Sequence, residues 1–183
     1  MMKVEMWEHP TEEDWMKAKV RALVTAGKKA VNPPDYEWKV KMLRCRHSPI
    51  RKLPFSFYIS DMPYWLHVEL VRHHVGLEKY VKSQRDDRNI NEIPRGKKPQ
   101  DAPVNMIIDL NAETLMTLMN NRLCGAATKE MQEIMFDIRK LVIETNPEFE
   151  EFLVPMCKYL HECKEFKSCG GKAIWFERMA YGD

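Results

Sequence analysis

The densest chemistry in this sequence lies in VRHHVGLEKYVKSQRDDRN, residues 71–89. Arg72, His73 and His74 are consecutive, and Lys79, Lys82, Ser83, Arg85 and Arg88 follow before Asn89. A guanidinium presents its N–H donors as a planar fork that matches two phosphate oxygens at once. A serine hydroxyl adds a short donor, and a loop adds backbone N–H groups. Such a cluster suits a phosphorylated small molecule. The competing reading is a solvated charged loop, offset by Glu78, Asp86 and Asp87. His73 and His74 are a poor metal pair, because adjacent residues of a helix point in different directions.

A second cluster sits near the C-terminus. Cys157, Cys163 and Cys169 recur at intervals of six in PMCKYLHECKEFKSCGG, with His161 between the first two. Zinc takes four ligands of this kind in a tetrahedron, and glycines after a ligand let the chain turn sharply. Cys124, Cys45 or His161 could complete such a set. Three reduced thiols in a helical tail are the alternative.

The elements that must position these groups read as follows. Thr11 caps EEDWMKAKVRALVTAG, whose acidic start and basic end match a helix dipole. VNPPDY (31–36) breaks that helix, and EWKVKMLRCR (37–46) starts another. LPFSFYIS (53–60) clusters aromatic and β-type residues and predicts a strand. PYWLHVELVRHHVG (63–76) fits a helix closed by Gly76, and the polar stretch 77–103 reads as a long loop. VNMIIDLN (104–111) predicts a second strand, after which Asn111 caps AETLMTLMNNRLCG. Met131, Ile134, Met135, Ile138, Leu141 and Val142 repeat at helical spacing across 128–146. A short helix is expected at NPEFEEFLVPM. The sum is an α+β domain over 1–154, a small sheet packed against several long helices, with a Cys/Gly-rich tail at 155–183.

The bulk numbers bound the function. Of 183 residues, 44% are hydrophobic and 31% charged, enough for one buried core in one domain. The net charge of +2, from 29 basic and 27 acidic residues, gives no general field for collecting nucleic acid or a membrane surface. RGKKP (95–99) lacks interleaved aromatics and reads as a solvated loop. No apolar run reaches the length of a membrane span. The N-terminus has no apolar signal region, so reduced cysteines and a cytoplasmic location are expected.

The order of the motifs resembles the flavin-dependent thymidylate synthases. That family carries Arg-His-Arg, seven variable residues, a serine and, two residues on, an arginine. Here Arg72-His73 is in place, His74 stands for the second arginine, Ser83 follows after eight residues, and Arg85 keeps its offset. Downstream, Asn111, Ala112 and Leu115 match the Asn-Ala-Arg-Ser-Leu helix, Arg122 sits at the expected distance, and Glu130 ends the next element. Upstream, His47, Pro49, Phe55 and Phe57 fit a His-x-x-Pro-Phe segment. The resemblance runs in order over about residues 15 to 153.

It implies a tetramer whose active sites form where subunits meet, binding FAD, deoxyuridine monophosphate (dUMP) and methylenetetrahydrofolate, with NADPH as hydride source. Carried over by position, Ser83, Gln84, Arg85, Arg122 and Glu69 would hold the nucleotide, with Arg122 and Ser83 nearest the chemistry. Arg72, His73, His74, Asn111 and Lys52 would face the flavin. Four departures concern these sites: Lys52 stands for a histidine, Glu113 for an arginine, Ala126 for a histidine and Glu69 for a glutamine. Two readings stay open. One is a divergent synthase methylating dUMP, with Lys52 and Lys82 compensating. The other is a non-catalytic or altered-specificity pyrimidine nucleotide-binding homologue without the standard FAD site.

Overall fold

The computed structural model describes residues 2–73, 75–90 and 92–181. Four antiparallel strands form one sheet in the order β1-β2-β4-β3. They are β1 (Lys3–Glu8), β2 (Pro54–Pro63), β3 (Leu77–Val81) and β4 (Pro103–Asn111). Alternation in the central pair builds the core face. Phe55, Phe57 and Ile59 of β2 and Val104, Met106 and Ile108 of β4 are all essentially buried. Successive strand residues face opposite sides, so one face collects the apolar set.

Helices cover that face. α1 (Glu12–Val24) begins with a capping box, in which Thr11 Oγ1 accepts from Asp14 N–H and the Asp14 carboxylate accepts from Thr11 N–H. α2 (Tyr36–Arg44) is capped by Asp35, which accepts from Trp38 N–H at 2.8 Å. α3 (Tyr64–Val71) follows β2 directly, and α4 (Ala112–Arg122) follows β4 directly. α5 (Lys129–Thr145) lays Met131, Ile134, Met135, Ile138 and Val142 against the core and packs on β1. α6 (Met156–Leu160) and α7 (Ile174–Tyr181) complete the helices among the described residues.

The expected α+β class is what the structure shows, with corrections in detail. Two strands were expected and four are present among the described residues. β1 and β3 are edge strands whose alternate residues are charged or exposed, so they read as polar sequence: β3 buries fully only Leu77. The helix expected to reach Gly76 stops at Val71. β3 begins at Leu77, just after Gly76 at φ +72°. The helix expected after Asn146 is a single 3-10 turn, Pro147–Phe149.

The C-terminal segment joins the same core. Ala173 and Trp175 are buried, Trp175 packs against Phe136 at 6.0 Å, and the Arg139 guanidinium lies 4.7 Å from the Trp175 ring. Gln132 Oε1 accepts from Ile174 N–H at 2.9 Å, capping the start of α7. Among the described residues no helix is long and apolar enough to cross a membrane.

Candidate functional site

One cavity of about 630 Å³ opens where β4 passes into α4. Its walls are Arg51 from the 3-10 turn before β2, Arg72, His73, Val75 and Gly76 from the turn after α3, and Asn111, Glu113, Thr114, Thr117 and Leu118 from the start of α4. The local sequence explains the arrangement. Asn111 ends β4 and caps α4, its Oδ1 accepting from Thr114 N–H at 3.0 Å. The positive end of the α4 dipole therefore faces the cavity. Gly76 brings the opposing turn into contact. A Cβ there would lie 2.4 Å from Thr114 Oγ1 and 3.4 Å from Asn111 Nδ2, and the left-handed φ also selects glycine. Lys79 holds the turn from behind, donating to the carbonyls of Val71 (3.1 Å) and His73 (2.7 Å).

Charge in the cavity is balanced in an unexpected way. Glu113 stands at the helix start, and Arg51 Nε donates to its carboxylate at 2.6 Å. The acidic group is thereby neutralised within the wall. Lys52, the residue expected to compensate, is exposed and does not line the cavity. Lys82 is likewise engaged elsewhere, donating to Glu92 at 2.8 Å.

Behind the cavity wall sits a three-residue cluster. Arg122 Nε donates to His73 Nε2 at 2.8 Å, and Arg122 Nη2 donates to the Glu69 carbonyl at 3.0 Å. Its Nη1 stands 3.6 Å from Glu69 Oε2, an oxygen that is buried and has no hydrogen-bond partner. Because His73 Nε2 accepts, the neutral ring carries its proton on Nδ1. Arg122 and Glu69 are each about four-fifths buried at the side chain (19% and 21% exposed), so this ion pair is worth more than a surface one.

The structure brings together Arg72, His73 and Asn111 from the expected flavin side, and sets Arg122 directly against both Glu69 and His73. His74 lies outside the described residues. Ser83, Gln84 and Arg85 do not line the cavity. They sit on the loop after β3, where Ser83 Oγ accepts from Arg85 N–H at 3.3 Å and the Arg85 fork grips both Asp87 oxygens at 2.9 Å. Arg51, Gly76, Thr114 and Thr117 escaped the sequence reading. The i, i+3, i+6 spacing of Asn111, Thr114 and Thr117 along the start of α4 was the available signal.

The cysteines are arranged differently from the expected zinc set. Among the described residues no group of three or more histidine, cysteine, aspartate or glutamate side chains converges as a metal site. Cys163 is exposed, Cys157 and Cys169 are half-buried, and Cys124 is buried. Burial opposes ionisation of Cys169, but N–H donors from Gly171, Lys172, Gly125 and Ala173 outweigh it and hold the thiol below its usual range. Burial pushes the Cys124 thiol up, and Glu165, Cys169 and Cys157 push the same way.

The fold is α+β with the architecture of the flavin-dependent thymidylate synthases. Thymidylate synthase X from Helicobacter pylori, solved with FAD and dUMP, superimposes with a TM-score of 0.67 at 17% identity, covering 82% of this chain and 99% of that one. A UMP/dUMP methylase from Streptomyces cacaoi, bound with 5-bromo-dUMP, gives 0.66 at 16% identity over 82% and 94%. A second structure of the H. pylori enzyme with FAD and dUMP gives 0.63 at 15% identity over 85% and 99%. No protein-family model matches the sequence. No curated protein matches it either.

Proposed function

We propose that this chain binds a pyrimidine nucleotide beside a flavin and catalyses reductive methylation of dUMP, with methylenetetrahydrofolate as carbon donor and NADPH as reductant. One observation carries the reading: a cavity at the start of α4, walled by Arg51, Arg72, His73 and Asn111, in a fold shared along nearly the whole length of a synthase solved with FAD and dUMP.

The residues present fit a flavin nucleotide. The Glu113 charge, which would repel a pyrophosphate, is already answered by Arg51. Arg72 and the start of α4 line the cavity where the anionic part would lie, and Asn111 fixes the helix start. The flavin, when bound, supplies hydride transfer. The chain supplies position and charge. His73 stands at the cavity wall, held from behind by Arg122.

The nucleotide-side residues Ser83, Gln84 and Arg85 lie away from the cavity of their own chain. An assembly in which they complete the site of another copy, a homo-tetramer, accounts for this separation. One observation favours the second reading, an altered-specificity binder: Glu69 already occupies Arg122, which would otherwise face the nucleotide.

The test is retention of flavin after loading with FAD and desalting, followed by assay of dUMP methylation. About one flavin per chain and product formation are expected. In Arg51→Ala the bare Glu113 carboxylate should weaken flavin affinity about fivefold, on the order of 1 kcal/mol. Arg51→Ala/Glu113→Ala should recover most of it. No retained flavin in the wild type would sink the synthase reading, and a dUMP titration would then decide the binder.

A further inference from the structure

Helices cover one face of the sheet, and the opposite face is left open on all four strands. There Trp7 and Tyr80 are 56% and 58% exposed, and Tyr58 and Ile107 between them are half-buried. Contiguous large apolar side chains in such a position mark an interaction surface.

Strand register sorts this face into three rows. At the end nearer the cavity, Glu8, Ser56, Asp109 and Glu78 stand side by side across β1, β2, β4 and β3. In the middle Glu5, Tyr58, Ile107 and Tyr80 are aligned. Trp7, at the irregularity in β1, stacks on Tyr58 with ring centroids 5.1 Å apart. At the far end Lys3 pairs with Ser60, and Lys82 N–H donates to the Asn105 carbonyl at 2.9 Å. The face is acidic at one end, aromatic in the middle and basic at the other.

We propose that this face binds the same face of a second copy of the chain, as an isologous dimer. The charges choose between the two ways in which a two-fold axis can lie between stacked sheets. An axis along the strands would set acidic row on acidic row. An axis across the strands, through the aromatic row, reverses strand direction and sets each acidic row on the other copy's basic row. Trp7, Tyr58 and Tyr80 then pack on their own equivalents, and Lys3 faces Glu8 of the partner subunit. Lys82 faces Glu78 of the partner subunit in the same way, while also donating to Glu92 at 2.8 Å. Stacked sheets lie about 10 Å apart, a gap that these long side chains span. Glu5 meets its own equivalent, but on an edge strand exposed to water, where its carboxylate accepts from Trp7 Nε1 at 3.4 Å.

The same symmetry lays the end of β3 in one copy over the start of β3 in the other. Ser83 and Arg85 are thereby carried from the far end of their own sheet toward Gly76 and Arg72 at the other copy's cavity. The dimer stands independently of the flavin and nucleotide reading, and its tests use neither ligand.

The first measurement is the mass in solution. By light scattering at about 100 µM, the full chain should have an even multiple of its 21.7 kDa, and Tyr80→Glu should halve that mass. Lys3→Glu should raise the dissociation constant by about tenfold or more. Lys3→Glu/Glu8→Lys should recover most of the loss, because the exchanged charges meet again across the axis. Should Tyr80→Glu fail to fold, zero-length carbodiimide coupling of the wild type decides instead. In a mixture of isotope-labelled and unlabelled chains, Lys3 of one copy should be joined to Glu8 of the other. Within one strand these residues lie about 16 Å apart, beyond the reach of such a bond. A single-chain mass for the wild type, an unchanged mass in folded Tyr80→Glu, or a double variant no tighter than Lys3→Glu would overturn the dimer. Absence of Lys3–Glu8 coupling between chains would do the same.

Discussion

Removing Arg122 tests whether the cluster behind the cavity is an energetic unit. The side chain donates to His73 at 2.8 Å and to the Glu69 carbonyl at 3.0 Å, and pairs with the Glu69 carboxylate at 3.6 Å. At that separation the Coulomb attraction runs from about 1 kcal/mol in water to about 5 kcal/mol at an effective dielectric of about 20. Desolvation of both charges opposes it. Arg122→Ala also strips a charged donor from two acceptors and leaves the Glu69 carboxylate mostly buried, so the expected loss of stability is about 3 kcal/mol.

Glu69→Gln removes only the charge and keeps the carbonyl contact, for an expected cost of about 1 kcal/mol. Denaturant melts of the wild type, both single variants and Arg122→Ala/Glu69→Gln close a double-mutant cycle, with an expected coupling of about 1–2 kcal/mol. A loss below about 1 kcal/mol for Arg122→Ala, or a coupling under about 0.5 kcal/mol, would refute the reasoning. In the same variants, Glu69→Gln should tighten dUMP about fivefold if Glu69 competes with nucleotide for Arg122.

Two further outcomes are expected. Gly76→Ala should destabilise by about 2–3 kcal/mol, part from a left-handed φ and part from the clash with Thr114 Oγ1. Adding Thr114→Ala should restore only the clash part, and a Gly76→Ala protein melting like the wild type would contradict the geometry. Glu92 is pulled down to about 2, first by hydrogen bonds from Lys82 and Lys98. A depressed folded-state value means that its contribution is present above the ordinary carboxylate range and is lost as pH falls toward about 2. Carboxyl NMR should find Glu92 titrating well below the exposed glutamates, and a normal midpoint would remove the Lys82–Glu92–Lys98 link.

The central strands, the capped helices and their core faces were legible because each carries its own signal. Phe55, Phe57 and Ile59 alternate, Met131, Ile134, Met135 and Ile138 repeat at helical spacing, and Asn111 sits where a strand must become a helix. The same local order carried the resemblance, since Arg72-His73, Ser83, Arg85, Asn111 and Arg122 keep their sequence relations whatever surrounds them. The edge strands were illegible for the opposite reason. β3 buries fully only Leu77, and its place is set by hydrogen bonds to β4.

What only tertiary structure decided is which charges meet. Set beside the family pattern it resembles, the sequence by itself puts Glu113 where an arginine is expected and Glu69 where a glutamine is expected. It could not determine that Arg51, sixty-two positions earlier, neutralises Glu113, or that Glu69 reaches Arg122 fifty-three positions on. The same holds for the thiols: the six-residue spacing pointed to Cys157, Cys163 and Cys169, while the fold sets Cys169 against the Cys124 turn. Electrostatic interactions act through space over a few ångströms. Spacing along the chain reports such distances only within one helix turn or one strand pair, and everything longer is fixed by packing.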